Sequence, residues 1–488
     1  MLLTLIQKEL KAILVSPKFA ATLAVCAMLI LLSVFVGIQE YRTSVRQHDA
    51  GLQLTEQTLR TQASWMGLST DAYRQPDPMQ VFVTGISNDI GRLSNVESLS
   101  GIKLRHSAYS DDPIFALFRS IDLAFIVQVV LSLFAILFTY DAINGEREGG
   151  TLQLTFANPV SRSTYILAKL LGSWIGLAIP LMIPLLLGVL LVLLYGVPFT
   201  GGDWGRFSLF LGVSFLFYSF FITLGVCVSS LARRSSVSFL VALVAWVTFV
   251  LILPRLGVLA AGQLRPVSSV AEVEAQRDAF AKDRWETHMK EMERRWQARQ
   301  SGMDGLNKVQ KEEMRDEKLP EWMAEDDARR KQVQKDIDKY SVRLNEDLRN
   351  RKAEQELLAF TLSRLSPASA YQLAAMSLGG TDIRLKSRYE DAMREYRTRF
   401  TRYVEEKERT SGGMGGFRIT VDTKTGIKFS APREKGSLDL SDLPVFAPPS
   451  LSLGEAAAPV VLDAGVLVLS TLLAFAGAFV AFLRYDIR

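Results

Sequence analysis

YDAINGEREGGTLQLTFANPVSRSTYILAKLLG, residues 140–172, lies between two long apolar runs. It gathers charge at Asp141, Glu146, Arg147 and Glu148, breaks at Gly149-Gly150, and resumes with Thr151-Leu152. It then turns at Asn158-Pro159 and ends in Arg162 and Lys169. Glu146 and Glu148 suit the start of a short helix, where the backbone dipole is positive. The glycine pair permits a sharp approach. Leu152, with Leu154 or Phe156, supplies an apolar knob for a groove. Charge, break, short helix, turn and charge is the pattern of a membrane-protein loop that receives a soluble partner.

The flanking runs set the fold class. A span needs roughly 20 consecutive apolar residues. Six stretches qualify: Phe19–Ile38, Ile121–Tyr140, Tyr165–Tyr195, Phe207–Leu231, Ser236–Leu259 and Val460–Leu483. The third carries Pro180 and Pro184, which predict either a kink or a break into two pieces. Of 488 residues, 49% are hydrophobic and 22% charged, so the apolar residues must sit in blocks. The expectation is an all-α polytopic membrane protein with six transmembrane helices and large soluble insertions.

Lys and Arg near span ends set the orientation. With the N-terminus inside, the inner segments carry Lys8, Lys11, Lys18, Arg147, Arg162, Lys169, Arg233, Arg234, Arg484 and Arg488. The short outer loop Gly196–Arg206 has only Arg206. Both termini are therefore expected on the cytoplasmic side, with the chain multi-pass. The first span lacks a small-x-small cleavage site and reads as a retained signal anchor. The resulting division is an interface helix (1–17), a first span (18–38), a first extracytoplasmic subdomain (39–120), and spans two to five (121–259) with the cytoplasmic loop 141–164. A large extracytoplasmic helical domain (260–459) and the sixth span with its cytoplasmic tail (460–488) follow.

Residues 1–17 are amphipathic. Leu2, Leu3, Ile6, Leu10, Ile13 and Leu14 recur near helical spacing, and Lys8, Glu9 and Lys11 lie elsewhere on the wheel. This predicts a helix lying in the inner membrane interface until Ser16-Pro17 turns the chain.

Residues 39–120 begin helical and polar, with turn signals at Gln75-Pro76-Asp77-Pro78 and Asp111-Asp112-Pro113, and predict a small, mostly helical subdomain. In 260–459 three stretches show an a/d seam. They carry Trp285, Met289, Met292 and Trp296; then Val333, Ile337, Tyr340 and Leu344; then Tyr389, Met393, Tyr396, Phe400 and Tyr403. Antiparallel coiled-coil packing is expected, with breaks at Ser301-Gly302, Pro320, Ser366-Pro367 and Gly379-Gly380. The second helix, from about Glu321 to about Leu365, would reach roughly 60 Å. After the glycine run 412–416 the period switches to two, predicting a small β-hairpin over Phe417–Phe429 with a turn at Thr425-Gly426. A Pro-rich connector returns to the last span.

The chemistry is defined by what is missing. The sequence contains no G-x-x-x-x-G-K-[ST], no H-E-x-x-H and no G-x-S-x-G. Only three histidines occur, His48, His106 and His288. His288, Met289 and Met292 could offer soft copper ligands, but the seam already needs both methionines. No catalytic, cofactor or metal residue is assigned. Cys26 and Cys227 fall inside apolar spans and read as small fillers. A net charge of +5 is small for this length and points to no nucleic-acid partner. Asp122, Lys169 and Asp463 lie near span ends, leaving no ionisable residue at mid-depth. Ion-coupled transporters usually carry such a group, so the energy must come from elsewhere.

The N-terminal LIQKELKAI, the six spans and the loop D-A-I-N-G-E-R-E-G-G-T-L…N-P-V-S-R…L-A-K resemble the ABC-2-type permeases, the membrane subunits of one class of ATP-driven exporters. The resemblance rests on Glu146, Gly150-Thr151-Leu152, Pro159-Val160-Ser161-Arg162 and Lys169. It covers the N-terminal helix and Ile121–Arg234, and the other spans by topology. The most similar subgroup has large exported insertions after the first and fifth spans. The resemblance implies a non-catalytic subunit, with ATP and Mg held by a separate ATPase subunit. That subunit would dock on a coupling helix around Gly149–Phe156, with Glu146, Arg147, Gly149, Gly150, Thr151, Leu152, Leu154, Phe156 and Arg162 as coupling residues. It implies a second permease subunit, identical or paralogous, in the same membrane. Three readings stay open: an exporter, a mechanotransmitter that moves its coiled coil against a periplasmic partner, and a motorless scaffold.

Overall fold

The computed structural model describes residues 1–61, 65, 68–87, 93–97, 121–303, 308–410, 418–422, 426–430, 438 and 440–485. The Asp111-Asp112-Pro113 turn, His106 and the glycine run 412–416 lie outside them. Two units divide the chain: Met1–Ile252 with Ser366–Arg488, and Leu253–Leu365.

Among the described residues, six helices are long and apolar enough to cross a membrane: Pro17–Arg60, Leu123–Glu148, Arg162–Leu194, Gly201–Leu231, Ser235–Leu264 and Leu453–Leu483, numbered here as spans 1 to 6. This is the polytopic all-α architecture expected from the apolar blocks. An N-terminal helix, Leu2–Leu14, precedes them. Ser16 caps span 1 by accepting the Phe19 amide, and Pro17 occupies the first turn, where its missing N–H costs nothing.

Span 1 does not stop where its apolar run stops. It continues to Arg60, since helix propensity, not hydropathy, decides where a helix ends. Span 3 is one helix with Pro180 and Pro184 inside it, so it is not broken into two. Spans 2 and 5 each contain a π-helical segment, Ile126–Leu131 and Thr248–Ile252. The Trp246 indole of span 5 donates to Ser132 Oγ of span 2 at 2.8 Å. Span 4 sits inside the bundle against spans 2, 3 and 6. Gly225 makes this possible: a Cβ there would lie 1.9 Å from Thr139 Oγ1 of span 2.

One face of the bundle gathers the N-terminal helix, residues 140–161, Ser235 and the end of span 6, through bonds described below. On the opposite face Asp122 caps span 2, accepting the amides of Phe125 (2.8 Å) and Thr84 (2.9 Å).

The block after span 5 is not a single domain. Pro367–Gly379 packs on spans 4 and 6, and ten of its residues are buried, from Pro367 to Gly379. Tyr371 stacks on Phe217 at 4.6 Å, and its hydroxyl lies 3.1 Å from Ser214 Oγ. Ser366 donates to the Phe249 carbonyl in the π segment of span 5. The helix therefore packs within the bundle, although its 13 residues are too few to cross a membrane.

The third seam stretch, on Arg384–Thr410, belongs to the same unit. Tyr389, Met393, Tyr396 and Phe400 are buried with Leu68, Ala72 and Val96, and half-buried Tyr403 joins them. Leu440, Leu443 and Phe446 of the connector close the cluster. Its partners are thus the two strands, the connector and Leu59 near the end of the span 1 helix, not a second seam helix. The strands, β1 (Ser69–Tyr73) and β2 (Leu93–Glu97), pair antiparallel with Ser69 opposite Glu97. They add a strand pair to a region expected to be mostly helical. Burial pushes the Tyr389 phenol up to about 12, so it stays protonated and donates to the Gln75 carbonyl at 3.3 Å. The expected hairpin is present as β3 (Arg418–Asp422) and β4 (Gly426–Ser430), with Asp422 opposite Gly426.

In the second unit, Val270–Ser301 and Lys308–Ser363 run antiparallel, and the latter passes through Pro320 without a break. Val333, Tyr340 and Leu344 are half-buried and Ile337 is buried. The seam of the first helix is rotated from the expected one. Met289 and Trp296 are 53% and 47% exposed, Trp285 and Met292 are half-buried, and His288 is buried. The packed face carries Phe280, stacked on Tyr340 at 4.1 Å, with Arg284 paired to Asp336 and Arg299 paired to Asp326 at 3.1 Å. Long arginine stems cover apolar surface while their heads stay hydrated. A seam read from apolar letters alone misses them.

Candidate functional site

The loop from Tyr140 to Ser161 folds as two short helices, Asn144–Glu148 and Thr151–Phe156. Gly150 between them has φ +70°, a left-handed conformation that glycine adopts without steric cost. Ser161 then caps span 3, accepting the Thr164 amide at 3.2 Å.

The first short helix is bolted to span 4. Ser229 Oγ accepts the amides of Ile143 (2.9 Å) and Asn144 (3.3 Å) and donates to Asn144 Oδ1 (3.2 Å). Glu148 accepts from the Ser235 amide (2.9 Å) and hydroxyl (2.7 Å) at the start of span 5.

Glu146 is the hub. Its carboxylate takes Lys8 Nζ at 2.7 Å, Lys169 Nζ at 2.9 Å and the Tyr165 hydroxyl at 2.7 Å. Lys169, whose side chain is 5% exposed, also reaches Glu9 at 2.7 Å. Two cations and two anions thus tie the N-terminal helix, the loop and span 3 together. Gly172 lets the helices close: a Cβ there would lie 2.6 Å from Glu9 Cβ. Lys11 is exposed and outside this cluster. Arg147 lies over the Tyr485 ring at 5.3 Å. Arg162 donates to the carbonyls of Phe482 and Leu483, where the negative end of the span 6 dipole favours a cation.

The second short helix has an inside and an outside. Leu152 is fully buried among Ile143, Tyr165, Ile166, Val226 and Phe482. Phe156 is half-buried, 5.3 Å from the Tyr165 ring. Leu154 is 69% exposed, with Thr151 and Gln153 exposed beside it. Leu152 is therefore an anchor and not a knob; Leu154 alone of the three is free to meet another surface. A groove of about 380 Å³ runs beside it, lined by Leu5 and Lys8 on one wall and Leu154, Thr155 and Val160 on the other.

Tyr165, Ser229, Ser235 and Tyr485 did not stand out in the sequence. A lone lysine four residues after a tyrosine in an apolar helix was the one available signal, since a buried cation demands a carboxylate.

The profile of the ABC-2 family transporter proteins matches residues 3–487. This chain belongs to that family. A probable ABC transporter permease protein NosY of Pseudomonas aeruginosa (strain PAO1) is 36% identical over 143 residues, 28% of this chain and 52% of that protein. A protein of the same description from Stutzerimonas stutzeri is 33% identical over 155 residues, 30% and 54% of the two chains. The chain spans about half the length of these relatives. As an ABC-2 family protein with six spans, it is a multi-pass membrane subunit of the ABC transporter class.

Proposed function

We propose that this ABC-2 family chain is the permease subunit of an ATP-driven exporter, and that its ATPase subunit docks on Thr151–Phe156. The observation that carries this reading is the split character of that helix. Leu152 fixes it to spans 3, 4 and 6, while Leu154 projects beside an open groove. A helix held on one side and bare on the other passes force from a partner into the bundle. The partner holds ATP and Mg; this chain supplies the docking surface and the path across the membrane. The N-terminal helix, the loop and the end of span 6 lie on one face, and the Lys and Arg residues around them support a cytoplasmic placement of that face in a bacterial inner membrane. A second permease subunit, identical or paralogous, completes the assembly.

A mechanotransmitter is the second reading. It is favoured by the 56-residue helix Lys308–Ser363 and its ion-paired partner, an insertion larger than substrate passage requires. An arm of that kind would work on an envelope partner.

Co-purification of the tagged chain from native membranes tests the docking. The wild type is expected to bring down an ATPase subunit, and Leu154→Asp to lose it while running as the same monodisperse species. An ATPase absent from the wild type, or recovered equally with Leu154→Asp, overturns it. Removing two heptads from each arm helix separates the readings: an exporter keeps transport, whereas a mechanotransmitter keeps ATPase activity and loses its output.

A further inference from the structure

Span 4 is fastened at both ends, on one face to residues 139–152, at and after the end of span 2, and on the other to the Asp77 turn. At one end lie the Ser229 bonds to Ile143 and Asn144, the contact of Val226 with Leu152, and the close pass of Gly225 at Thr139. At the other end Arg206 forks onto Asp77 at 3.0 and 3.1 Å and also pairs with Asp203. Asp203 is itself held by the Thr200 capping box. Asp77 caps the turn Pro78–Val81 through the Met79 amide at 2.9 Å. Gly380 ends Pro367–Gly379 with φ +65°; a Cβ there would lie 3.3 Å from both the Arg206 guanidinium and the Asp77 carboxylate. Between the ends, Ser214 and Phe217 hold Tyr371.

The helix between these fastenings is plain. Gly201–Leu231 has no proline and no π segment. Spans 2 and 5 contain π segments and span 3 contains two prolines, the usual places where a helix bends or slips. At 1.5 Å per residue span 4 is a continuous helix of roughly 46 Å, buried along much of its length and therefore poor at absorbing strain.

We propose that span 4 is the strut that carries a displacement of the short helices Asn144–Glu148 and Thr151–Phe156 to the opposite face, where the Asp77 turn and Pro367–Gly379 receive it. The flexible spans adjust around it. The output is thus at Asp77–Val83 and at the buried helix beside Tyr371. This role does not require the ATPase-docking reading, because the coupling lies within this chain.

The test is a double-mutant cycle read by amide hydrogen exchange on the full chain in lipid nanodiscs. Ser229→Ala loosens one end and Arg206→Lys the other. Ser229→Ala is expected to speed exchange at Met79–Val83 and Pro367–Gly379 by about threefold or more, and the double variant to depart from the product of the single effects. Effects confined to each variant's own end, multiplying without interaction, overturn the proposal. Variants are compared only if they elute as the wild type does. Asp77→Asn breaks the same fork if Arg206→Lys fails to fold. Arg299→Ala, in the second unit, is the control and is expected to leave both segments unchanged.

Discussion

Two regions of this protein are rich in ion pairs, and they use them differently. In the cluster of Glu9, Glu146 and Lys169 the charges are largely withdrawn from water, with the more exposed Lys8 at its edge, and each carboxylate or ammonium is held by named partners from other elements. Along the helices Val270–Ser301 and Lys308–Ser363 the pairs are mostly exposed, as with Arg329–Glu325 and Lys331–Asp327, and many lie within one helix. The buried set can exist in only one arrangement without stranding a charge, so it positions. The exposed set can rearrange cheaply, so it solubilises and only weakly stabilises.

The comparison can be broken at several points. Lys169→Ala leaves Glu9 and Glu146 facing each other out of water and is expected to cost about 3–5 kcal/mol, seen as a large fall in thermal midpoint in detergent. Lys169→Met with Glu9→Gln and Glu146→Gln should recover much of it, because no buried charge is then left alone. Leu152→Ala empties the anchor pocket and is expected to cost about 2–5 kcal/mol, measured the same way, whereas Leu154→Ala should leave the midpoint unchanged. Gly172→Ala forces Glu9 aside, at about 1–3 kcal/mol, and should weaken the N-terminal helix first, as increased proteolysis near Lys8. Lys331→Ala, which breaks an exposed pair in the arm, is expected to move the midpoint as little as Leu154→Ala does.

Acid sharpens the same contrast. Asp336 is held below the usual carboxylate range by its hydrogen bond from Arg284, and Asp327 by those from Lys331 and Arg330. A lowered folded pKa gives stability that is complete above the unfolded value, about 3.9, and lost as the pH falls through the folded value. Helicity of the arm followed by hydrogen exchange should be flat from neutral pH down to about 4 and fall below that. Salt at 1 M, where the Debye length is about 3 Å, should mimic the effect on the exposed pairs and spare the Glu146 cluster.

The spans and the loop were legible because both are written in strong local signals: long apolar runs, and glycines between charges. What escaped had its cause elsewhere. Leu152 and Leu154 are the same letter two positions apart, and only the neighbours supplied by spans 3, 4 and 6 make one an anchor and the other a free surface. Pro367–Gly379 is buried because small residues fit between spans 4 and 6, a property of the gap and not of its own hydropathy. β1 and β2 are five residues each and acquire their meaning from the Tyr389–Phe400 face they cover. Met289 and Trp296 resemble core positions only while arginine counts as charge alone; its stem takes the packed face instead.

Gly150 carries a consequence of a different kind, one of handedness. Nothing lies within 4 Å of where its Cβ would be, so crowding cannot explain a glycine there. The bend between the two short helices is stored in one positive backbone angle. An L-residue at that angle costs about 1–2 kcal/mol; its mirror image does not. A D-alanine placed at position 150 by semisynthesis would fit the bend better than any genetically encoded side chain. By narrowing the freedom of the unfolded loop, it would hold the angle more firmly than the native glycine does.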